Sequence, residues 1–195
     1  MNDYEKDSVD QIRKMLSSRE RKVIDNLSFA RAAVLVPLYK KGEDCHLLFT
    51  KRTDKVKYHK SEISFPGGVF DEGDFELEKT ALREAFEEVG LKEKDVQIIG
   101  VLDDIVTITE FIITPFVGLF PYPYFFKVSE IEIAELIEIP LSFFIKGDCY
   151  SKQVVFRMDR EEMVDAFQYK NHIIWGATAR ILKQFLDLIS SSKRA

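Results

Sequence analysis

Residues 74–90 constrain the fold more than any other stretch, because they read as a helix that must be covered on one side. Ala81, Leu82, Ala85, Phe86 and Val89 recur at helical spacing and form an apolar side that needs a core to lie on. Asp74 is the expected N-cap, and Gly90 is placed to follow the helix C-terminus. Glu84, Glu87 and Glu88 project from a different side, three and four residues apart. Like charges at that spacing repel, so local stability gives no reason for the cluster. Either water screens an acidic face, or a cation belongs there.

The rest of the chain alternates short apolar runs with turns. "ARAAVLVPLY" (30–39) and "CHLLFTKR" (45–52) predict strands, joined through "KKGED" as a hairpin. Residues 53–62 lack apolar periodicity and predict a loop, after which "ISFPGG" predicts one short strand ended by Pro66 and two glycines. Further strands are expected near 96–102, 111–120 and 132–139, and in "CYSKQVVFRM" and "EMVDAFQYK". Helices are expected over 8–17, where Val9, Ile12 and Leu16 keep helical spacing, and over about 176–191. No repeat or linker-like composition divides the 195 residues, so one domain of mixed α and β structure is expected.

Charge and composition exclude several partners. A net charge of −5 leaves no overall basic field for nucleic acid or an anionic membrane. "FIITPFVGLFPYPYFF" (111–126) is uncharged, but it is shorter than the ~20 apolar residues of a spanning helix. Pro115, Pro121 and Pro123 interrupt it as well, so a buried strand followed by a loop is expected there. With 46% hydrophobic and 31% charged residues, the chain reads as soluble and globular. Cys45 and Cys149 form neither a disulfide framework nor a zinc motif, and the charged start lacks the apolar stretch of a signal peptide. A cytoplasmic protein is expected.

In front of the acidic helix stands "FPGG" (65–68), leading through "VFDEGD". Gly67 and Gly68 allow a tight backbone path and close approach of a ligand. A carbonyl from such a turn, joined to helix carboxylates, makes a set of hard oxygen ligands suited to Mg²⁺ or Mn²⁺. The run "GGVFDEGDFELEKTALREAFEEVGL" (67–91) resembles the signature of the Nudix hydrolases. Its six fixed positions, Gly68, Arg83, Glu84, Glu87, Glu88 and Gly90, at ~6% background each, would coincide by chance at roughly 5 × 10⁻⁸ of start positions. Asp74 stands where the signature has glutamate, and the path from there to Arg83 is one residue longer. The longer loop is similar to that of the coenzyme A pyrophosphatases. "LLFTKRTDKVKYHKSEISFPGG" (47–68) resembles their upstream motif, with Ser61 in place of a glycine and Val56-Lys57 in place of Leu-Arg. "IITPFVG", "EIAELIEIPL" and "IWGATARIL" also resemble segments of that subfamily, so the likeness covers about residues 28–187.

The resemblance implies a Nudix-type α/β/α sandwich with a mixed β-sheet and a catalytic loop-helix-loop. It implies a single domain over 1–195 with an N-terminal helix, and it allows a homodimer. It implies metal-dependent attack of water on a pyrophosphate, with Glu84, Glu87 and Arg83 as catalytic residues. Glu84, Glu88, Glu87 and Gly68 are the metal ligands it implies, with Mg²⁺ or Mn²⁺ as cofactor, and Arg83 orients a glutamate. The general base stays open between Glu84, Glu110 and Glu132. Arg52, Lys57 and Gly67 are the substrate-binding residues, in a stretch where Lys51, Lys55, His59 and Lys60 add charge. Those charges read either as phosphate contacts or as a solvated loop, the latter being the commoner role of a single lysine, and "PYPYFF" as a pantetheine pocket or as core. The implied substrate is a nucleotide-containing small molecule of the coenzyme A class, cleaved to 4′-phosphopantetheine and adenosine 3′,5′-bisphosphate. ADP-ribose or a dinucleotide is the alternative substrate. A non-catalytic ligand-sensing module is the third reading, and the intact glutamate cluster argues against it.

Overall fold

The computed structural model describes residues 3–55, 61–157 and 160–192. Helix α1 (Asp3–Ser17) starts earlier than the periodicity predicts, because Asp3–Asp7 are polar and carry no apolar stripe to read. Strands β1 (Ala30–Lys41) and β2 (Asp44–Arg52) form the predicted hairpin, but they pair only near its turn, from Leu38↔Leu47 to Lys41↔Asp44. Beyond that they part, and the segment carrying the glycines fills the gap. Strand β3 (Ile63–Ser64) pairs with β2, and β4 (Gly67–Val69) pairs with β1. Pro66 lies at the crossing, where no ladder donor is required, and its carbonyl accepts from the Leu35 N–H at 2.8 Å. The single strand expected here is therefore two, one on each side of the proline, because the chain changes partner at that point.

Helix α2 (Leu77–Val89) follows, starting three residues later than expected. Asp74 is not its N-cap: it closes a 3₁₀ turn at Glu72–Asp74, capped by Asp71, and the two carboxylates cap one another's backbone. Gly90 ends α2 in the left-handed conformation, φ 73°. Strands β5 (Gln97–Val101), β6 (Ile105–Val106) and β7 (Phe111–Leu119) come next. β7 runs parallel to β1 from Ala30↔Phe111 to Leu38↔Leu119, which makes the sheet mixed. β8 (Ile133–Pro140) pairs with β2, and α3 (Leu141–Ile145) follows it. β9 (Tyr150–Arg157), β10 (Arg160–Tyr169) and β11 (His172–Trp175) form a separate antiparallel sheet before α4 (Gly176–Ser192). The two-residue β6, the one-turn α3 and the short β11 were not legible as periodic runs.

Alternation along β1 divides the core between two faces. Ala33, Leu35 and Tyr39 pack with Ala81, Leu82, Ala85 and Val89 of α2. Val36 and Leu38 belong to the opposite cluster, with Ile12 and Leu16 of α1 and Leu182 and Phe185 of α4. Helices thus cover both faces of a mixed sheet. Phe86, expected on the apolar side of α2, is instead 53% exposed. Cys45 and Cys149 are buried, and among the described residues they form no disulfide. Among the described residues no helix is long and apolar enough to cross a membrane.

Candidate functional site

The carboxylates of α2 meet the split between β1 and β2. Glu88 is 3% exposed, and its Oε1 accepts from Arg52 Nη1 at 3.2 Å, across the gap from β2. Its other oxygen, Oε2, is buried and has no hydrogen-bond partner among the described residues. Burial pushes the Glu88 carboxyl up to about 8; Arg52 opposes the rise, while Glu84 and Glu132 add to it. Arg52 also reaches Glu132, Nη2 to Oε2 at 3.5 Å. The loop before β8 holds Glu132 there: Ser129 N–H donates to the Glu88 carbonyl at 2.9 Å, and Thr53 N–H donates to the Glu132 carbonyl at 2.8 Å. The Ser129 bond, with another from the Lys127 N–H to the Val89 carbonyl at 3.0 Å, satisfies carbonyls that the end of α2 would otherwise leave open.

Arg83 organises the exposed side of the cluster. It forms a bidentate pair with Asp74, Nε to Oδ1 at 2.8 Å and Nη2 to Oδ2 at 3.1 Å. Its Nη1 donates to Glu84 Oε1 at 2.7 Å and to Glu87 Oε2 at 3.3 Å. Asp74 also accepts from Thr80 Oγ1 at 2.8 Å and from the Asp71 N–H at 3.1 Å. The Arg83 hydrogen bonds, helped by those two donors, hold the Asp74 carboxyl down to about 2 against its burial. Glu84 is raised, chiefly by burial, with Arg83 pulling the other way.

The two glycines explain the close fit of loop and helix. A Cβ on Gly68 would stand 2.3 Å from Glu84 Oε1, so only a bare backbone lets the turn lie against that carboxylate. A Cβ on Gly67 would meet the Ala33 carbonyl at 2.5 Å, inside the β1–β4 pairing. Among the described residues, no three Asp, Glu, His or Cys side chains stand together as a ready cation cage. Arg52 and Arg83 supply the positive charge beside these carboxylates. The residues nevertheless suit a hard divalent ion: Glu88 Oε2 is a buried oxygen with no donor among the described residues, and backbone lies directly against Glu84.

The expected residues Glu84, Glu87, Glu88, Arg83, Gly67, Gly68 and Arg52 therefore lie around one place. Lys57, with His59 and Lys60, lies outside the described residues. Of the two outlying carboxylates, Glu132 joins the cluster, whereas Glu110 sits in the turn before β7, where its carbonyl accepts from Ala30 N–H at 3.1 Å. The anchoring of Arg83 by Asp74 was missed; the pairing depends on the 3₁₀ turn, and an acidic residue at that position was its one visible sign. In "PYPYFF", Tyr124 and Phe126 pack against the core on the α2 side, while Phe125 is 94% exposed.

A family profile described as NUDIX domain matches residues 29–133. A protein described as an uncharacterised Nudix hydrolase NudL, from Enterobacter sp. (strain 638), is 38% identical over 160 residues, covering 82% of this chain and 83% of its own. A NudL of the same description from Citrobacter koseri is 34% identical over 160 residues, with the same coverage. Among solved structures, a C. elegans Ap4A hydrolase binary complex matches with a TM-score of 0.55 at 16% identity, over 85% of this chain and 98% of that one. A MutT/nudix family protein from Enterococcus faecalis matches at 0.52 and 12% identity, over 96% and 72%. At such identities the two structures speak for the fold alone.

Proposed function

The chain belongs to the Nudix hydrolase family, and from that premise we propose that it is a coenzyme A pyrophosphatase. It hydrolyses the pyrophosphate bond of coenzyme A or its acyl derivatives, giving 4′-phosphopantetheine, or its acyl form, and adenosine 3′,5′-bisphosphate. One observation supports the substrate: the run 47–68 resembles the upstream motif of that subfamily, and its arginine, Arg52, is the residue bound to Glu88.

Glu84 and Glu88, with Glu87 and the Gly68 carbonyl, would hold Mg²⁺ or Mn²⁺. A divalent ion, when bound, neutralises phosphate charge and lowers the pKa of a coordinated water. The chain's own residues orient the reactants. Arg83, clamped by Asp74, fixes Glu84 and Glu87. In this reading Glu84 or Glu132, the latter partly exposed beside Arg52, accepts the proton of the attacking water. In this reading Gly67 contacts the substrate through its backbone, while Arg52 and Lys57 supply charge for its phosphates. The same reading implies a cytoplasmic enzyme.

A substrate panel with Mg²⁺ or Mn²⁺, its products identified by mass, tests the assignment. Two monophosphates from coenzyme A are expected. Preferential turnover of ADP-ribose or a dinucleotide would leave the pyrophosphohydrolase standing and remove coenzyme A as its substrate.

A further inference from the structure

Thr53 follows β2 directly and is 8% exposed. A hydroxyl buried at a strand end needs a partner. Thr53 Oγ1 donates to the Ile131 carbonyl at 2.8 Å, and the Thr53 N–H donates to the Glu132 carbonyl, also at 2.8 Å. Those carbonyls belong to the peptide units on either side of the Glu132 Cα. Each unit is planar, so one residue fixes both planes from which the Glu132 side chain projects.

The strands prepare this contact. The Arg52 N–H donates to the Glu62 carbonyl at 3.0 Å, just before β3, so Arg52 and Thr53 bond on opposite sides of the chain. Pairing with β8 shifts at the same point: Lys51 lies opposite Glu135 but Arg52 lies opposite Ile133, passing over Ala134. Such a bulge re-aims the residues beside it. Packing does not hold the loop, since Ile131 is 76% exposed. Hydrogen bonds hold it: the Glu132 and Ile133 N–H groups both donate to the Ser129 carbonyl, at 3.0 and 2.8 Å. Glu132 also differs from the helix carboxylates. Glu84 accepts from Arg83 and lies against Gly68, and Glu88 is buried. The Glu132 side chain is 46% exposed, with Arg52 Nη2 3.5 Å away, so it meets solvent water while standing at the cluster. Its place is set from β2, through Thr53.

We propose that Thr53 is a positioning residue for Glu132: it holds both flanking peptide units and keeps that carboxylate where it takes the proton of the attacking water. The proposal rests on the reading that a carboxylate of this cluster activates the water, and it selects Glu132 over Glu84 for that step.

A double-mutant cycle on the full chain tests this. Turnover is read with Mg²⁺ on coenzyme A and, in parallel, on ADP-ribose, so loss of the coenzyme A assignment silences one arm and leaves the other to decide. Thr53→Val keeps the shape and removes the hydroxyl donor; kcat should fall about tenfold with KM little changed. Thr53→Ser, which keeps the donor, should restore most of that loss. Glu132→Gln should lower kcat about a hundredfold or more. In the Glu132→Gln background, Thr53→Val should cost about twofold or less, because its route of action is already gone. An equal loss in both backgrounds would make Thr53 a general stability residue and overturn the proposal, as would normal kcat in Glu132→Gln. Thr53→Ala serves the same cycle if the valine variant does not fold, with Tm as the check. Hydrogen exchange gives a readout independent of activity. The amides of 129–133 should exchange faster in Thr53→Val and recover in Thr53→Ser, while α2 stays protected. Unchanged exchange in that loop would show that Thr53 does not hold it.

Discussion

Glu88 is held where its own charge is unwelcome. Its carboxyl titrates at about 8 in the folded chain, against an ordinary value of 4.5, with burial as the main cause. Between those values the native state holds a proton that the unfolded chain has released, so stability falls as pH rises through that window. Above about pH 8 the full penalty is present, on the order of a few kcal/mol. Metal-free protein should therefore melt at lower temperature at pH 8.5 than at pH 5.5, and Mg²⁺ should narrow the gap. Glu88→Gln should remove most of this pH dependence and nearly abolish turnover, as read by calorimetry and a product assay. A variant that melts like the parent at both pH values would exclude Glu88 as the source. Asp74 is the opposite case: held down to about 2, it stays ionised at any working pH and keeps Arg83 clamped. Asp74→Asn keeps the shape and removes the charge, and about a tenfold fall in kcat is expected. Normal kcat would show that Arg83 needs no anchor.

At the scale of elements, the β3–Pro66–β4 crossing brings a bare turn against α2. The two glycines in it serve different contacts, and their alanine variants should fail differently. Gly67→Ala forces a methyl onto the Ala33 carbonyl and should cost about 1–3 kcal/mol, with Tm as the readout. Gly68→Ala pushes on the Glu84 carboxylate, a movable side chain, so its main expected loss is Mn²⁺ affinity and turnover. Equal effects of both variants on Tm and on Mn²⁺ binding would contradict this division. The glycine pair and the helix were both visible in the chain, but the strand on the far side of Pro66 was not. Three residues carry too little alternation to read, and β4 exists because β1 offers it an unpaired edge.

Across the whole molecule, one core cluster runs from Ile12 of α1 to Ile189 of α4 and includes Phe167 and Ile174 of the three-stranded sheet. Packing that joins both ends of the chain is expected to melt as one unit. Far-UV circular dichroism and the fluorescence of Trp175, at the junction of β11 and α4, should give coincident transitions. Separate midpoints would mark the second sheet as an independent unit.

By itself the sequence determined the elements with a long period: the β1–β2 hairpin, α2 with its Gly90 stop, β7, β8 and α4. It also determined the family, because Gly68, Arg83, Glu84, Glu87, Glu88 and Gly90 are close enough along the chain to be read as one motif. Tertiary structure decided what those residues touch. Arg52 and Glu88 are thirty-six positions apart, and Glu132 arrives from a loop further on; each contact depends on where two strands separate. Local spacing orders side chains around a helix. Desolvation, which sets the Glu88 charge and leaves Phe86 in water, depends on what the rest of the fold lays over that helix.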